Sequence, residues 1–355
     1  MMQTKIAWIV EVKAAVKTLR CFLSICILFA CASPACAEGA LRYDAALLET
    51  PAVGPVCSYR VEYHEWDAQT LAAALLGEGF THERKDAFGN WYSATNGEEA
   101  RLLGIYASDP ADEESSGLNG GFTFGVQREG ISCARALSVF TSLQPVPQPE
   151  RAWMDVENLS FATADAVQAK AEELFAQLGF PDMVLSNLYA CTREEIQEEI
   201  HAARDDMGYA QYAQQIPECY ILFYRQAMDG IALNDVARTD KARSRNDALE
   251  TYVALIVSEN GVESMEAFSL YDVVEQSEPV DTLSCAEALA VLERDLSKGI
   301  VQNPLSIVEA ELVLYATGNA LDGIWLRPIW VFTATEGEAD FACYLIDAHT
   351  GEIYK

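Results

Sequence analysis

The stretch Tyr344-Leu345-Ile346-Asp347-Ala348-His349-Thr350-Gly351-Glu352-Ile353-Tyr354-Lys355 closes the chain and decides how the rest of it is read. Tyr344 to Ile346 continues an apolar β-like run. Asp347-Ala348 ends that run, His349-Thr350-Gly351 turns the chain, and Glu352-Ile353-Tyr354 restarts a strand. The chemistry of such a turn is local. Asp347 can accept from backbone N–H groups, Gly351 can take a positive φ, and Thr350 can hydrogen-bond within the turn. Asp347, Thr350, Gly351 and Glu352 are therefore read as structural turn residues.

Moving towards the N-terminus, that closing run begins at Phe341 (Phe341–Ala348), and two more β-like runs precede it: Ile307–Tyr315 and Trp325–Ala334. In the first, Val308, Ala310, Leu312 and Leu314 alternate with Glu309 and Glu311. That pattern predicts an antiparallel strand with one face to a helix and one to water. A helix precedes the three runs. Ser284 and Glu287 have capping-box spacing, and Cys285, Leu289, Leu292 and Leu296 form one apolar stripe ending by Gly299. The same order occurs earlier. Thr163 caps a helix with the stripe Val167, Ala171, Leu174, Leu178, ending at Gly179, and the runs Met183–Cys191 and Cys219–Ala227 follow. Between the two copies, Glu250–Ser258 and Val262–Tyr271 read as a hairpin with a type I′ bend at Asn260-Gly261. The expected fold class is α+β: antiparallel sheets with helices packed on one face, built from a duplicated unit.

The remaining organisation follows from punctuation. The proline-rich run Gln144-Pro145-Val146-Pro147-Gln148-Pro149 predicts an extended linker over 144–151. Before it, 40–143 reads as an N-terminal α+β domain, with a strand over Cys57–Tyr63 and a short helix over Asp67–Leu76 capped by Asp67. Residues 107–121 read as an acidic loop. After the linker, 152–245 is the first unit, and 246–355 holds the hairpin and the second unit.

The order helix, strand, strand, strand, closed by Asp347-Ala348-His349-Thr350-Gly351-Glu352, resembles a PepSY-type unit, in which the last strand pair closes with Asp-Ala-x-Thr-Gly-Glu. The run from Asp229-Gly230-Ile231 through Leu314-Tyr315 to Arg327-Pro328-Ile329-Trp330 is similar to extracytoplasmic regulators of the YycH and YycI type, and to envelope lipoproteins of Gram-positive bacteria. The resemblance covers about residues 160–355. The first copy lacks the Thr-Gly-Glu ending. The resemblance implies an extracytoplasmic protein from a group that includes protease inhibitors and histidine-kinase regulators. It carries no catalytic residue across.

The N-terminus carries its own address. Lys5, Lys13, Lys17 and Arg20 precede or enter the uncharged run Cys21–Ala32, and Ala35-Cys36-Ala37 offers a small-residue cleavage site. Residues 1–37 are read as a signal peptide. Leu28-Phe29-Ala30-Cys31 also resembles a lipobox, which makes Cys31 a candidate lipidation site, and an uncleaved N-terminal anchor is the third reading. Localisation is expected to be extracytoplasmic, either secreted or membrane-anchored by the N-terminus.

The whole chain has 24 Lys+Arg against 54 Asp+Glu, a formal charge of −30. The first 37 residues hold four of the bases and one acid, Glu11, so the remainder carries 20 bases against 53 acids, or −33. A nucleic-acid partner is excluded on that balance, because phosphate binding needs a basic footprint. Anionic lipid surfaces are disfavoured for the same reason. Beyond the signal, Cys57, Cys133, Cys191, Cys219, Cys285 and Cys343 are widely spaced, with no CxxC. Disulfides and buried thiols both remain open.

No catalytic set stands out. Only His64, His82, His201 and His349 occur, with no HExxH, GxSxG or Walker A motif. Glu198 and His201, with Glu194 a turn earlier, share one face of a helix expected over 192–206, and they read as a solvated acidic face. Ser132-Cys133 has no assignable base. Asp109, Asp112, Glu113 and Glu114 lack EF-hand spacing. No catalytic, cofactor or metal residue is assigned. Trp325, Trp330, Tyr344 and Tyr354 form the candidate partner surface, since aromatic residues on an exposed sheet face anchor partners. The expectation is a non-enzymatic exported envelope protein that binds or regulates another envelope protein or peptide. The alternatives are a secreted hydrolase with a scattered carboxylate or Cys-His site and a cation or cell-wall ligand module.

Overall fold

Helices form where the sequence supplies a cap and one apolar stripe. In the computed structural model, which describes residues 41–49, 54–86, 89–106, 120–128, 131–132, 158–202, 216–234, 251–298, 305–319, 323–336 and 340–354, there are four α-helices. Helix α1 (Ala68–Leu76) starts at Asp67, whose carboxylate accepts from the Gln69 and Thr70 N–H groups. Helix α2 (Ala164–Leu178) is capped by Thr163 and closed by Gly179 at φ +80°. Its buried face is Val167, Ala171, Phe175 and Leu178; Phe175 takes the deep position expected of Leu174, which packs partly buried beside it. Helix α3 (Arg193–Ala202) begins with a reciprocal Thr192–Glu195 cap. Helix α4 (Cys285–Leu296) has the full Ser284–Glu287 capping box and ends at Ser297, short of the expected Gly299.

The strands run in chain order as β1 (Leu41–Tyr43), β2 (Tyr59–Tyr63), β3 (Thr81–Asp86), β4 (Gly89–Asn96), β5 (Glu99–Tyr106), β6 (Phe122–Arg128) and β7 (Ile131–Ser132). After α2 come β8 (Met183–Cys191), then, beyond α3, β9 (Cys219–Met228), β10 (Ile231–Ala232), β11 (Tyr252–Ser258), β12 (Gly261–Phe268) and β13 (Tyr271–Gln276). Beyond α4 lie β14 (Leu305–Asn319), β15 (Gly323–Glu336), β16 (Asp340–Asp347) and β17 (Ile353–Tyr354). The fold is α+β, dominated by antiparallel strands.

Two sheets result. One has seven strands in the order β1-β14-β15-β16-β17, with β2 on β15 and β13 on β2. The other has ten, in the order β10-β9-β11-β12-β6-β5-β4-β3, with β8 on β9 and β7 on β6. The one parallel pair of named strands is β1 with β14. The sheets do not follow the expected segments. Strands β1 and β2 lie within 40–143, yet they pair with β14, β13 and β15 near the other end of the chain. Strands β3–β6 instead join β8, β9, β11 and β12. The chain thus crosses between sheets after β2 and again after β12. The proline-rich linker at 144–151 lies outside the described residues.

Each sheet carries helices on one face. Leu71, Leu75, Val167, Phe175 and Leu178 from α1 and α2 pack on Leu103, Phe122, Phe124, Leu222, Tyr224 and Leu255 of the ten-stranded sheet. Cys285, Leu289 and Leu292 of α4 pack on Leu312, Leu314, Trp330, Phe332 and Ile346 of the other. Burying such a side chain stabilises by about 1.5–3 kcal/mol, so these interfaces supply most of the driving force. The far face of the seven-stranded sheet departs from expectation. Val313, Tyr315, Ile329, Val331 and Leu345 form a second buried cluster there, so β14 is apolar on both faces beyond Leu312. A bulge between Ile307 and Glu309 also shifts the register and leaves Val308 exposed.

Several contacts join the sheets, among them the Tyr59 hydroxyl donating to Asp229 and the three that follow. Leu233 bridges Leu314 in parallel, with Asn234 N–H donating to the Leu314 carbonyl at 2.8 Å. Arg225 of β9 makes a two-pronged ion pair with Glu311 of β14, at 2.7 and 3.2 Å. Gln226, 1% exposed, uses its side-chain amide as a piece of β-ladder: Nε2 donates to the Tyr271 carbonyl at 2.7 Å and Oε1 accepts from the Tyr271 N–H at 2.8 Å.

The β11–β12 hairpin is present, but its loop is Glu259-Asn260, and neither residue has positive φ; Gly261 at φ +102° supplies the reversal one place later. The two-residue type I′ signature is found at Asp229-Gly230 between β9 and β10, with φ +50° and +80°.

Candidate functional site

The closing turn is built as a carboxylate cage. Asp347, almost fully buried, accepts at Oδ1 from the N–H groups of His349 (2.9 Å) and Thr350 (2.8 Å), and at Oδ2 from the Tyr354 hydroxyl (3.2 Å). Gly351 sits at φ +73° and donates its N–H to the Asp347 carbonyl, while the Thr350 hydroxyl accepts from Glu352 N–H. The Ala348 carbonyl accepts from Leu283 N–H, which ties the turn to the start of α4. Every oxygen of Asp347 is engaged inside the chain, so the turn serves the fold.

The four candidate aromatic residues do not form one surface. Trp330 is 1% exposed, stacks on Phe332 and donates its indole N–H to the Leu283 carbonyl; it is a core residue and leaves the candidate set. Strand alternation puts Tyr344 on that same helix-covered side. Trp325 and Tyr354 fall on the opposite side, where Tyr354 packs on Tyr315 with ring centres 6.1 Å apart. Burial and the Asp347 charge push the Tyr354 hydroxyl above its usual range. Trp325, Tyr344 and Tyr354 are each half-buried.

The histidines sit on separate elements. His64 Nδ1 lies 2.9 Å from Asp272, and its ring meets Trp66 edge-on. His82 on β3 lies against Tyr92. His349 Nε2 is 3.2 Å from the Val56 carbonyl, an acceptor that fixes the proton on that nitrogen. The His201 side chain lies outside the described residues, as do Cys133, Cys31 and the acidic run Asp109–Glu114; Glu194 and Glu198 are exposed on α3. Cys57 and Cys191 are buried thiols. Cys191 and Cys219 face each other in the β8–β9 register, Cys285 donates to the Leu47 carbonyl, and Cys343 is half-buried. Among the described residues no group of three His, Cys, Asp or Glu is placed to hold a metal ion, and no helix is long and apolar enough to cross a membrane.

Two features were not anticipated. A cavity of about 200 Å³ opens between α2 and the β11–β12 hairpin, lined by Phe161, Val167, Ala171, Leu255 and Val257, with Lys170 and Glu259 at its rim. Its walls are mostly apolar, with Ser258 also in the lining, and among the described residues no histidine or cysteine lines it. The other is a chain of charges across the ten-stranded sheet. Arg128 bridges Glu99 and Glu263, and Glu263, with no exposed side-chain surface, also accepts from the Ser258 hydroxyl. The Arg101 hydrogen bond, helped by the charges of Arg101 and Arg128, holds the Glu99 carboxyl below its usual range. Neither feature has a sequence signature, because each is assembled from elements far apart in the chain.

Of the eight exposed large apolar side chains among the described residues, Leu48, Leu102, Val280 and Val308 lie elsewhere and four lie on edge strands: Tyr43 on β1, Val184 on β8, and Val273 and Val274 on β13. Among the described strands, each of these three pairs on one side only.

No protein-family model matches the chain, and no curated protein matches it. Among solved structures, an uncharacterized protein from Eubacterium rectale is similar in fold, with a TM-score of 0.54 at 16% sequence identity over 85% of this chain and 86% of that one.

Proposed function

We propose that the protein is an exported, non-enzymatic component of the cell envelope that binds or regulates another envelope protein through the edges of its sheets. The observation that carries this reading is the placement of exposed Tyr43, Val184, Val273 and Val274 on edge strands. An edge strand offers unpaired backbone donors and acceptors, and an extended segment of another chain can add to it. The strongly acidic composition keeps copies of the chain apart in solution and favours a partner of opposite charge.

Export rests on the N-terminal pattern of residues 1–37, with a lipid at Cys31 as the alternative tether. Kinship with PepSY-type units rests on two sets of elements. Each of α2–β8–β9 and α4–β14–β15–β16 is a hydroxyl-capped helix followed by antiparallel strands. The first set carries α3 between its strands and the second does not. Cross-linked, affinity-tagged protein recovered from envelope fractions tests the reading. Repeated recovery of one envelope protein is expected, and its absence from replicate captures would count against the proposal.

A further inference from the structure

We infer that β13 is the docking edge, and that its partner is an extended segment with alternating apolar and basic residues. This rests on the binding function proposed above and gives it a site and a chemistry.

Strand β13, Tyr271-Asp272-Val273-Val274-Glu275-Gln276, ends the seven-stranded sheet beyond β2. Only Tyr271 is buried. Every residue from Asp272 to Gln276 is exposed, with Val273 at 49% and Val274 at 50%. The two sides of this strand differ in character. Register places Tyr271 opposite Tyr63 and Val273 opposite Val61, so one side is apolar and begins with the stacked Tyr63–Tyr271 rings. Asp272 opposite Glu62, and Glu275 opposite Arg60, make the other side acidic. Arg60 is a distant counter-ion, 3.9 Å from Glu275, with both side chains largely in water. Glu278 and Asp281 continue the negative charge past the strand.

Contrast with β3, the end of the ten-stranded sheet, sharpens the choice. That strand carries His82, Glu83, Arg84 and Lys85, with Arg84 over the Trp91 ring, and this mixed-charge surface is a usual way to protect an edge. The exposed part of β13 has two acids, two valines and Gln276, and no base. A second copy of this chain would bring like charge to it, which costs energy directly across a strand pair. A strand whose side chains alternate between valine-like and lysine-like residues satisfies both faces at once. Its apolar residues lie beside Val273, its bases lie beside Asp272 and Glu275, and its backbone completes the ladder. The bulge at Val274 sets the register at which such a strand is accepted.

The test is fluorescence anisotropy with a labelled eight-residue peptide of alternating Val and Lys, and its Val-Glu counterpart, against purified protein. Hydrogen exchange follows on the complex. The inference expects the Lys peptide to bind, the Glu peptide not to bind, and exchange to slow at 273–276, beyond Tyr271, whose N–H is already held by Gln226. Binding should fall at least about tenfold in Glu275→Lys, and further in Asp272→Lys/Glu275→Lys; the single variant leaves the His64–Asp272 contact in place. Binding with protection at another edge would overturn the docking site while leaving the binding function intact. Binding unchanged by charge reversal, or no binding of either peptide, would overturn the partner chemistry.

Discussion

Replacing Gln226 with Leu removes one of the contacts that couple the two sheets. The amide makes two hydrogen bonds to the Tyr271 backbone in a site where both residues are 1% exposed. Leucine is close in size, so little cavity is created and the loss is mainly polar. Each backbone group then loses its Gln226 partner without access to water, at about 1–3 kcal/mol. The sum is about 2–6 kcal/mol, a large share of the 5–15 kcal/mol typical of a domain. Urea unfolding followed by far-UV circular dichroism measures it. A loss below about 1 kcal/mol would refute the reasoning, because it would mean that water or another group already serves Tyr271. Gln226→Glu adds a second reading. A carboxylate can accept from the Tyr271 N–H but cannot donate to its carbonyl. The deficit of that variant should shrink as pH falls and the carboxyl gains a proton; a deficit independent of pH would contradict the assigned bonding.

Other substitutions test other parts of the account. Asp347→Ala strips the acceptor from two backbone N–H groups and the Tyr354 hydroxyl, and should cost about 2–4 kcal/mol in denaturant unfolding. Arg128→Met leaves Glu263 buried beside Ser258 alone and should cost about 3–5 kcal/mol, whereas the double change with Glu263→Gln should recover part of that loss. The pH dependence of stability carries two opposite signs. Burial pushes Glu266 up from 4.5, so its favourable contribution is present below that value and is lost as pH rises through the raised folded pKa. Glu266→Gln should therefore stabilise the protein at about pH 7 and lose that advantage in acid. Glu99 is lowered from 4.5, so its contribution is present above that value and is lost as pH falls through the lowered folded pKa. Glu99→Gln should destabilise at neutral pH and converge with the parent in acid.

What could be read from sequence was local. The caps at Asp67, Thr163 and Ser284–Glu287 and the turn chemistry of Asp347, Thr350 and Gly351 depend on neighbours a few residues apart, and those neighbours are visible in a linear text. The pairing of β2 with β13 and β15 joins residues more than two hundred positions apart, as in Tyr63 with Tyr271 and Arg60 with Trp325. Nothing in the alternation of Tyr59–Tyr63 names its neighbours, so the sequence groups the segment with 40–143 and does not point to β13 or β15. The same limit hid Gln226, whose amide reads as an ordinary polar residue until Tyr271 is beside it. Trp330 was misjudged for another reason: strand periodicity gives two faces but does not say which one α4 covers. The apolar residues Val313 and Tyr315, out of phase with Leu312 and Leu314, were a usable sign that β14 is buried on both sides. The β13 edge was missed because Tyr271 was read as the end of the preceding hairpin strand, whereas Ser269, at φ +55°, breaks the chain there.

The binding account is tested most directly by photo-cross-linking in the native host, with p-benzoylphenylalanine replacing Val274 and, as a control, Leu102, which is also exposed but lies on the other sheet. The account predicts an adduct from position 274 and none from 102, with the linked site mapped to an extended basic segment of one envelope protein. Equal labelling from both positions, or none from 274, would contradict it.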